Sequence, residues 1–255
     1  MPGIVMLVGK DPISNIMYQA LSQNFRIDAV IREEKPALAG FLKRRIKKLG
    51  LRKVAGQLFF SALIVPLLAR QSKRRMRQII SENHLDTSEI PSDKVIEVPS
   101  VNSDLTVSEL KRLAPAVVVV NGTRIIQEQV LACVPAVFLN THAGITPMYR
   151  GVHGGYWALA CGDKTNCGVT IHKVDKGIDT GSIVAQAMID PGPQDTFVTY
   201  PLLQTARAIP LLCQAVNNAV EGRISTIAAR AMQSKLWTHP TAWEYLKNRI
   251  QSGVR

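Results

Sequence analysis

Ala136-Val137-Phe138-Leu139-Asn140-Thr141-His142 is the stretch on which the reading of this chain turns. Its first four residues are a short apolar run of the kind found in a strand buried on both faces. At Asn140 the run turns polar, and in open α/β sheets such strand ends carry the chemistry. An Asn amide can donate to a developing oxyanion, and an imidazole two positions on can donate again or accept a proton. Asp179, in Gly177-Ile178-Asp179-Thr180-Gly181, adds a carboxylate that can fix the imidazole or relay protons through water. Three such groups equip a chain for acyl transfer without a covalent enzyme intermediate.

Working outward, Ile4 to Val8 reads as a first strand. Gly9 to Asn15 is a glycine-containing turn, followed by an amphipathic helix through Gln23. Ser14 and Asn15 sit where a helix N-terminus either binds a phosphate or is simply capped by one of these side chains. Arg26 to Ile31 and Lys94 to Val98 give further strands, Thr106 to Leu113 a helix, and Ala114 to Val120 a second buried strand. Gly154 to Ala160 reads as a helix, Asn166 to Val174 and Ser182 to Met188 as strands, and Asp195 to Val220 as helical with Gly222 as its stop. The expected fold is α/β: a Rossmann-like, open, mostly parallel sheet with flanking helices. A catalytic domain is expected over residues 1–192 and a helical extension over 193–255, ending in a short tail with Trp237, His239, Trp243 and Tyr245.

Three ordered motifs sharpen the chemistry. Phe138 to Gly151, containing Asn140-Thr141-His142 and Tyr149-Arg150-Gly151, resembles the signature of the folate-dependent formyltransferases. This family includes the glycinamide ribonucleotide, methionyl-tRNA and sugar-nucleotide enzymes. Gly168 to Gly181 resembles its second signature, and Asn121-Gly122-Thr123-Arg124-Ile125-Ile126 the segment that grips the pterin. The resemblance implies 10-formyltetrahydrofolate as co-substrate, no metal, and direct attack by a primary amine. Asn140 would hold the oxyanion, His142 would assist or take a proton, and Asp179 would set its protonation and relay protons. A carboxylate beside an imidazole raises its pKa, so an imidazolium is expected near neutral pH. Arg124, Ile125 and Ile126, with Val174, Asp175 and Ile178 opposite, would hold the pterin; Arg124 as a mere surface residue stays open. Tyr149, Arg150 and His153 fall on the acceptor side, with Arg150 able to pair a phosphate. For His153 and His172, substrate contact and simple packing both remain open. Ala143 to Pro147 departs from the family's usual Ser-Leu-Leu-Pro wording. The Tyr-Arg-Gly wording leans toward the sugar and tRNA branches. The tail after Gly192 is too short for the extra barrel that the tRNA enzymes use.

Cys133, Cys161, Cys167 and Cys213 show no metal or redox spacing and imply a reducing compartment. Met1 leads straight into the first strand with no cleavable leader, so a cytoplasmic protein is expected. The charge is uneven. Fourteen Lys and Arg lie between Arg32 and Arg77, opposed there only by Glu33 and Glu34, which accounts for the chain's whole net +12. Within the insert Ala37 to Ile80, the sixteen residues Val54 to Ala69 carry no charge. That run is shorter than the roughly 20 residues needed to span a bilayer. Polybasic flanks around an apolar helix suit an anionic membrane surface at the inner face. A helical hairpin that packs Leu58, Phe59, Leu63 and Leu67 on the sheet is the plain alternative, and a nucleic-acid arm the least favoured. The expected partner is a small-molecule amine acceptor, phosphate-bearing or membrane-associated. Neither the acceptor's identity nor the oligomeric state is readable from the sequence.

Overall fold

A computed structural model describes residues 3–229 and 233–255; Met1 and Pro2, part of the leader reading, lie outside the described residues. The chain runs β1 (Ile4–Val8), α1 (Pro12–Ser22), β2 (Ile27–Glu33), α2 (Leu38–Leu49), α3 (Leu51–Phe59), a π-helical turn (Phe60–Ile64), α4 (Val65–Gln71) and α5 (Lys73–Glu82). It continues through β3 (Val95–Val98), α6 (Asp104–Leu113), β4 (Val117–Asn121), α7 (Glu128–Leu131), β5 (Val137–His142), β6 (Arg150–Gly151) and α8 (Gly154–Ala160). The last elements are β7 (Gly168–Lys173), β8 (Ile183–Met188), α9 (Tyr200–Val220), β9 (Leu236–Trp237) and α10 (Ala242–Ser252).

Seven strands form one sheet in the order β3-β2-β1-β4-β5-β7-β8. The first five pair in parallel, and β7 and β8 add an antiparallel edge. The all-apolar sequence of β1 follows from burial on both faces. Ile4, Met6 and Val8 share a cluster with Met17 and Leu21 of α1 and with Ala208, Leu212, Ala215 and Val216 of α9. Val5 and Leu7 face Leu110 of α6 and Val130 of α7 on the other side. Because α9 supplies half of one covering layer, the sheet's core does not end at residue 192. Residues of the expected extension, from Ala208 to Ala219, pack against this sheet.

The insert is four helices, and its packing differs from the hairpin expectation. Leu58, Phe59, Leu63 and Leu67 point outward, and Val54, Gln57, Phe60 and Leu68 point inward. The inward face meets α10 and the loop before α9 rather than the sheet. Phe60 lies edge-on to Phe197 with ring centroids 4.9 Å apart and tilted against Tyr245 at 5.0 Å. Gln57 Nε2 donates to the His239 carbonyl at 2.6 Å, and Arg75 pairs with the buried Asp195 at 2.8 Å. The π turn has a local cause. A proline ring collides with the carbonyl four residues back, and a wide turn before Pro66 relieves that clash. The Val65 N–H accordingly reaches five residues back to the Phe60 carbonyl.

Candidate functional site

The antiparallel pairing of β5 and β7 builds the site. Its register sets Asn140 opposite His172 and His142 opposite Thr170. His172 Nδ1 lies 2.8 Å from the Lys173 carbonyl and must donate to it. The other ring nitrogen, Nε2, lies 3.1 Å from Asn140 Nδ2. Asn140 Nδ2 also donates to Asp179 Oδ1 over a long 3.5 Å, a bond weak enough for an incoming oxygen to compete with. Asp179 sits in a left-handed conformation, φ 51°, at the tip of the loop after β7. Its Oδ2 accepts the Gly151 N–H at 2.8 Å and lies 3.4 Å from His142 Nδ1; its Oδ1 lies 3.5 Å from His172 Nε2. One carboxylate thus touches both imidazoles and the backbone of β6.

His142 is only 5% exposed, and its Nε2–H donates to the Tyr149 carbonyl at 2.6 Å. Burial pushes its pKa below the ordinary imidazole value, and the Asp179 charge offsets this only in part. The imidazolium expected near neutral pH is therefore corrected: desolvation outweighs the carboxylate. The neutral ring, with its proton held on Nε2, turns an Nδ1 lone pair toward Asp179. For Asp179, burial acts upward, but His172, His142 and the Gly151 N–H together hold the carboxyl below its ordinary range. The resting state is an ionised carboxylate beside a neutral histidine that can take up a proton.

Around this centre the remaining sequence-derived residues divide. The pairing of Val120 with Asn140 brings the loop holding Arg124, Ile125 and Ile126 alongside the site. Arg124 does not turn its guanidinium there. Its Nε lies 3.3 Å from Glu33, and its Nη2 donates to the Glu34 and Pro99 carbonyls, so it clamps the loop to β2. Ile126 is buried in the core cluster that also holds Phe138 and Val174, whereas Ile125 is exposed at the rim. Asp175 accepts from Gly177 N and Thr180 Oγ1, which shapes its own loop and leaves it little for a ligand. The Ile178 carbonyl accepts from Arg150 Nη1 at 3.0 Å. Arg150 Nε is buried with no hydrogen-bond partner among the described residues. Lys176 and Glu128 pair at 2.5 Å and tie the two rim loops together.

On the acceptor side, the structure gives the assigned residues partners of their own. The Tyr149 hydroxyl donates to Asp163 at 2.8 Å and its ring stacks on Trp237, so only its carbonyl serves the site, through His142. His153 packs its ring 4.4 Å from both Phe197 and His239, on the insert side of the loop. The α1 N-terminus is capped by Asp11, which accepts from Ile13 N, and not by Ser14 or Asn15. Ser14 is buried and donates to Asn121 at 2.9 Å, and a carboxylate already occupies the helix end where a phosphate was considered. His172, which the strand pattern left undecided, belongs to the central cluster. The strand reading could not rank it above the other alternating positions, because only the register of β5 on β7 puts it beside Asn140. Gly144 is a further requirement. A Cβ there would strike the Tyr149 carbonyl and come within 2.7 Å of His142 Nε2.

Comparisons with known proteins converge on this region. Residues 59–203, more than half of the chain, match the family model described as formyl transferase. A methionyl-tRNA formyltransferase from Anaeromyxobacter dehalogenans is 31% identical over 143 residues, which is 56% of this chain and 46% of that protein. The chain therefore spans about half the length of this curated relative. Among solved structures, the glycinamide ribonucleotide transformylase 1 of Symbiobacterium toebii shares the fold with a TM-score of 0.57 and 18% identity, over 90% of this chain and 92% of that one. An N-formyltransferase from Helicobacter canadensis, in complex with folinic acid and dTDP-3-aminofucose, gives a TM-score of 0.54 at 15% identity, over 91% and 70%. Asn140, His142, His172 and Asp179 all lie inside the matched segment, on a sheet of the same build, and the chain belongs to the formyl transferase family.

Proposed function

We propose that this protein is an enzyme that moves a formyl group from 10-formyltetrahydrofolate to a primary amine. The observation that carries the reading is the Asn140–His142–Asp179 cluster, in which the Asn140 amide is held by a long 3.5 Å bond to Asp179 and a neutral imidazole lies beside an ionised carboxylate. The residues at hand fit the co-substrate. Ile125, exposed near the strand end that carries Asn140, and the loop residues Val174 and Ile178 would supply the apolar contacts to the flat pterin. No residue set among those described calls for a metal ion.

In this reaction the amine nitrogen bonds to the formyl carbon, the carbon–N10 bond of the donor breaks, and one proton passes from the amine to N10. Asn140 stabilises the oxygen that becomes negative in between, a role worth about 3–4 kcal/mol for one well-placed donor. His142 Nδ1, facing Asp179 Oδ2 across 3.4 Å, takes the amine's proton and becomes an imidazolium paired to the carboxylate. Asp179 then returns the proton toward the leaving nitrogen. His172 holds the Asn140 amide at the angle the oxyanion needs.

The acceptor class that fits is an amino sugar on a nucleotide or an amine presented at a membrane, in the cytoplasm. The unpaired Nε of Arg150 supports a phosphate-bearing acceptor. The co-crystallised dTDP-amino sugar of the Helicobacter canadensis relative favours the nucleotide form. Glycinamide ribonucleotide is the second reading, favoured by the fold likeness to its transformylase. The test is to incubate the protein with 10-formyltetrahydrofolate and nucleotide-linked amino sugars, glycinamide ribonucleotide or methionyl-tRNA, and follow tetrahydrofolate release. Turnover with an amino sugar supports the proposal, and turnover with glycinamide ribonucleotide alone selects the second reading. No release with any amine overturns both.

A further inference from the structure

The segment Leu51–Gln71 is a nearly continuous helix of 21 residues. Its inward face is committed to the domain through Val54, Phe60 and Leu68. Its outward face is apolar too. Leu51, Leu58, Phe59, Leu63 and Leu67 stand between 45% and 68% exposed, with Ala55 and Ala62 in the same stripe. From Leu51 to Leu67 the stripe runs about 24 Å at 1.5 Å per residue. The π turn keeps it on one side. In a plain α-helix Leu67 would point roughly 160° away from Leu51, and the wide turn removes about 100° of that. The neighbouring α10 extends the patch. Trp243, 49% exposed, lies over Gly56, where any side chain would collide with its indole, and Leu246 and Ile250 follow at helical spacing.

Cations surround this patch. Lys43, Arg44, Lys47 and Lys48 of α2 and Arg52 of α3 are exposed at one end, and Arg70, Lys73, Arg74 and Arg77 at the other. No Asp or Glu occurs anywhere between Lys35 and Arg77. Among the described residues, carboxylates pair with the insert's cations only at Lys53, with Glu244 at 3.8 Å, and at Arg75, with Asp195 at 2.8 Å and Glu82 at 3.6 Å. We infer that the protein docks on an anionic lipid leaflet with the Leu51–Gln71 helix lying in the plane of the membrane. The aliphatic stripe and Trp243 enter the headgroup boundary, and the two basic ends sit on the lipid phosphates. A spanning role is excluded by the inward face, which the domain already fills. A second copy of the chain would bring two strongly basic surfaces together. A nucleic acid would leave the leucines between the basic ends without a partner. The inference rests on this surface alone and does not depend on the formyl-transfer reading.

Flotation of the full chain with vesicles of phosphatidylcholine containing 30 mol% phosphatidylglycerol tests it, beside vesicles of phosphatidylcholine alone. The expected result is co-flotation with the anionic vesicles only, weakening as salt rises. It should come with a blue shift of tryptophan emission that Trp243→Phe abolishes. The triple variant L58S/L63S/L67S and the charge variant K47Q/K48Q/R74Q should each weaken binding at least ten-fold. Both should keep their thermal unfolding midpoint, because all six side chains are exposed. A protein that stays unbound from anionic vesicles at low salt overturns the inference. So does a dimer that the triple variant converts to monomer, and so does tighter binding to duplex RNA than to vesicles. Tetrahydrofolate release from soluble amines should be unchanged in the triple variant, so failure of docking and failure of the proposed reaction read out separately.

Discussion

Asp179 is the residue where most of the site's geometry meets: two imidazoles, the Gly151 N–H and a left-handed backbone. Asp179→Asn keeps the shape but removes the charge. Because that charge opposes the effect of burial on His142, its loss lets the His142 pKa fall further. The acid limb of kcat/KM is therefore expected to move to lower pH in Asp179→Asn while the plateau drops by orders of magnitude. An acid limb that stays put would remove Asp179 from control of His142. Asn140→Ala deletes the proposed oxyanion donor and should lower kcat about 10²- to 10³-fold with a smaller change in KM. Stopped-flow measurement of formyl transfer checks it, and a near-parental kcat would sink the role. His172 shows how a residue singled out in a sequence can stay unranked. Nothing within Gly168 to Lys173 distinguishes it from an ordinary strand histidine; its place beside Asn140 is set by a strand over thirty residues away.

At the scale of elements, the turn from β5 to β6 is packed without slack around Gly144. Gly144→Ala would push the Tyr149 carbonyl off His142 Nε2, the hydrogen bond that fixes the ring's tautomer. Activity is expected to fall more than ten-fold, with about 1–3 kcal/mol of stability lost from overpacking; urea unfolding alongside kinetics separates the two. The helices and strands themselves were largely legible. Uninterrupted apolar runs announced β1 and β4, and the motif around Asn140 announced the strand end that carries the chemistry. Side-chain direction was not legible. Tyr149 follows the motif directly, yet its ring points to Asp163 and Trp237 because the chain turns there. Asp175 looked like a ligand contact and instead closes its own loop through Thr180. The insert's helical character could be read, but not which of its two apolar faces packs inward. Phe59 and Phe60 are equivalent in composition, and only the shape of the Phe197–Tyr245 seat separates them.

Across the whole molecule, the insert and the C-terminal segment are joined by a seam with two half-buried histidines. Burial drives the His153 pKa down to about 3, with His239 adding to the effect; burial, then Arg45, takes His239 down to about 4. Both are neutral when folded, whereas the unfolded chain binds a proton at each below about pH 6.5. Stability is therefore full above that pH and falls as the pH drops toward 4, by about 1.4 kcal/mol per unit for each histidine at most. Urea midpoints at pH 7 and pH 5 should differ strongly in the parent and much less in His153→Asn/His239→Phe. Equal pH dependence in both would place the acid-sensitive groups elsewhere. The β6–β9 pairing has a consequence for how the enzyme comes into being. Arg150 N binds the Lys235 carbonyl and Val152 N the Trp237 carbonyl, on either side of the Gly151 N–H that Asp179 accepts. A ribosome that has released residues up to 229 has delivered every member of the central cluster, but not the strand that holds Gly151 in place. Until residues 235–237 emerge, the Gly151 N–H would meet Asp179 without the strand that flanks it on both sides.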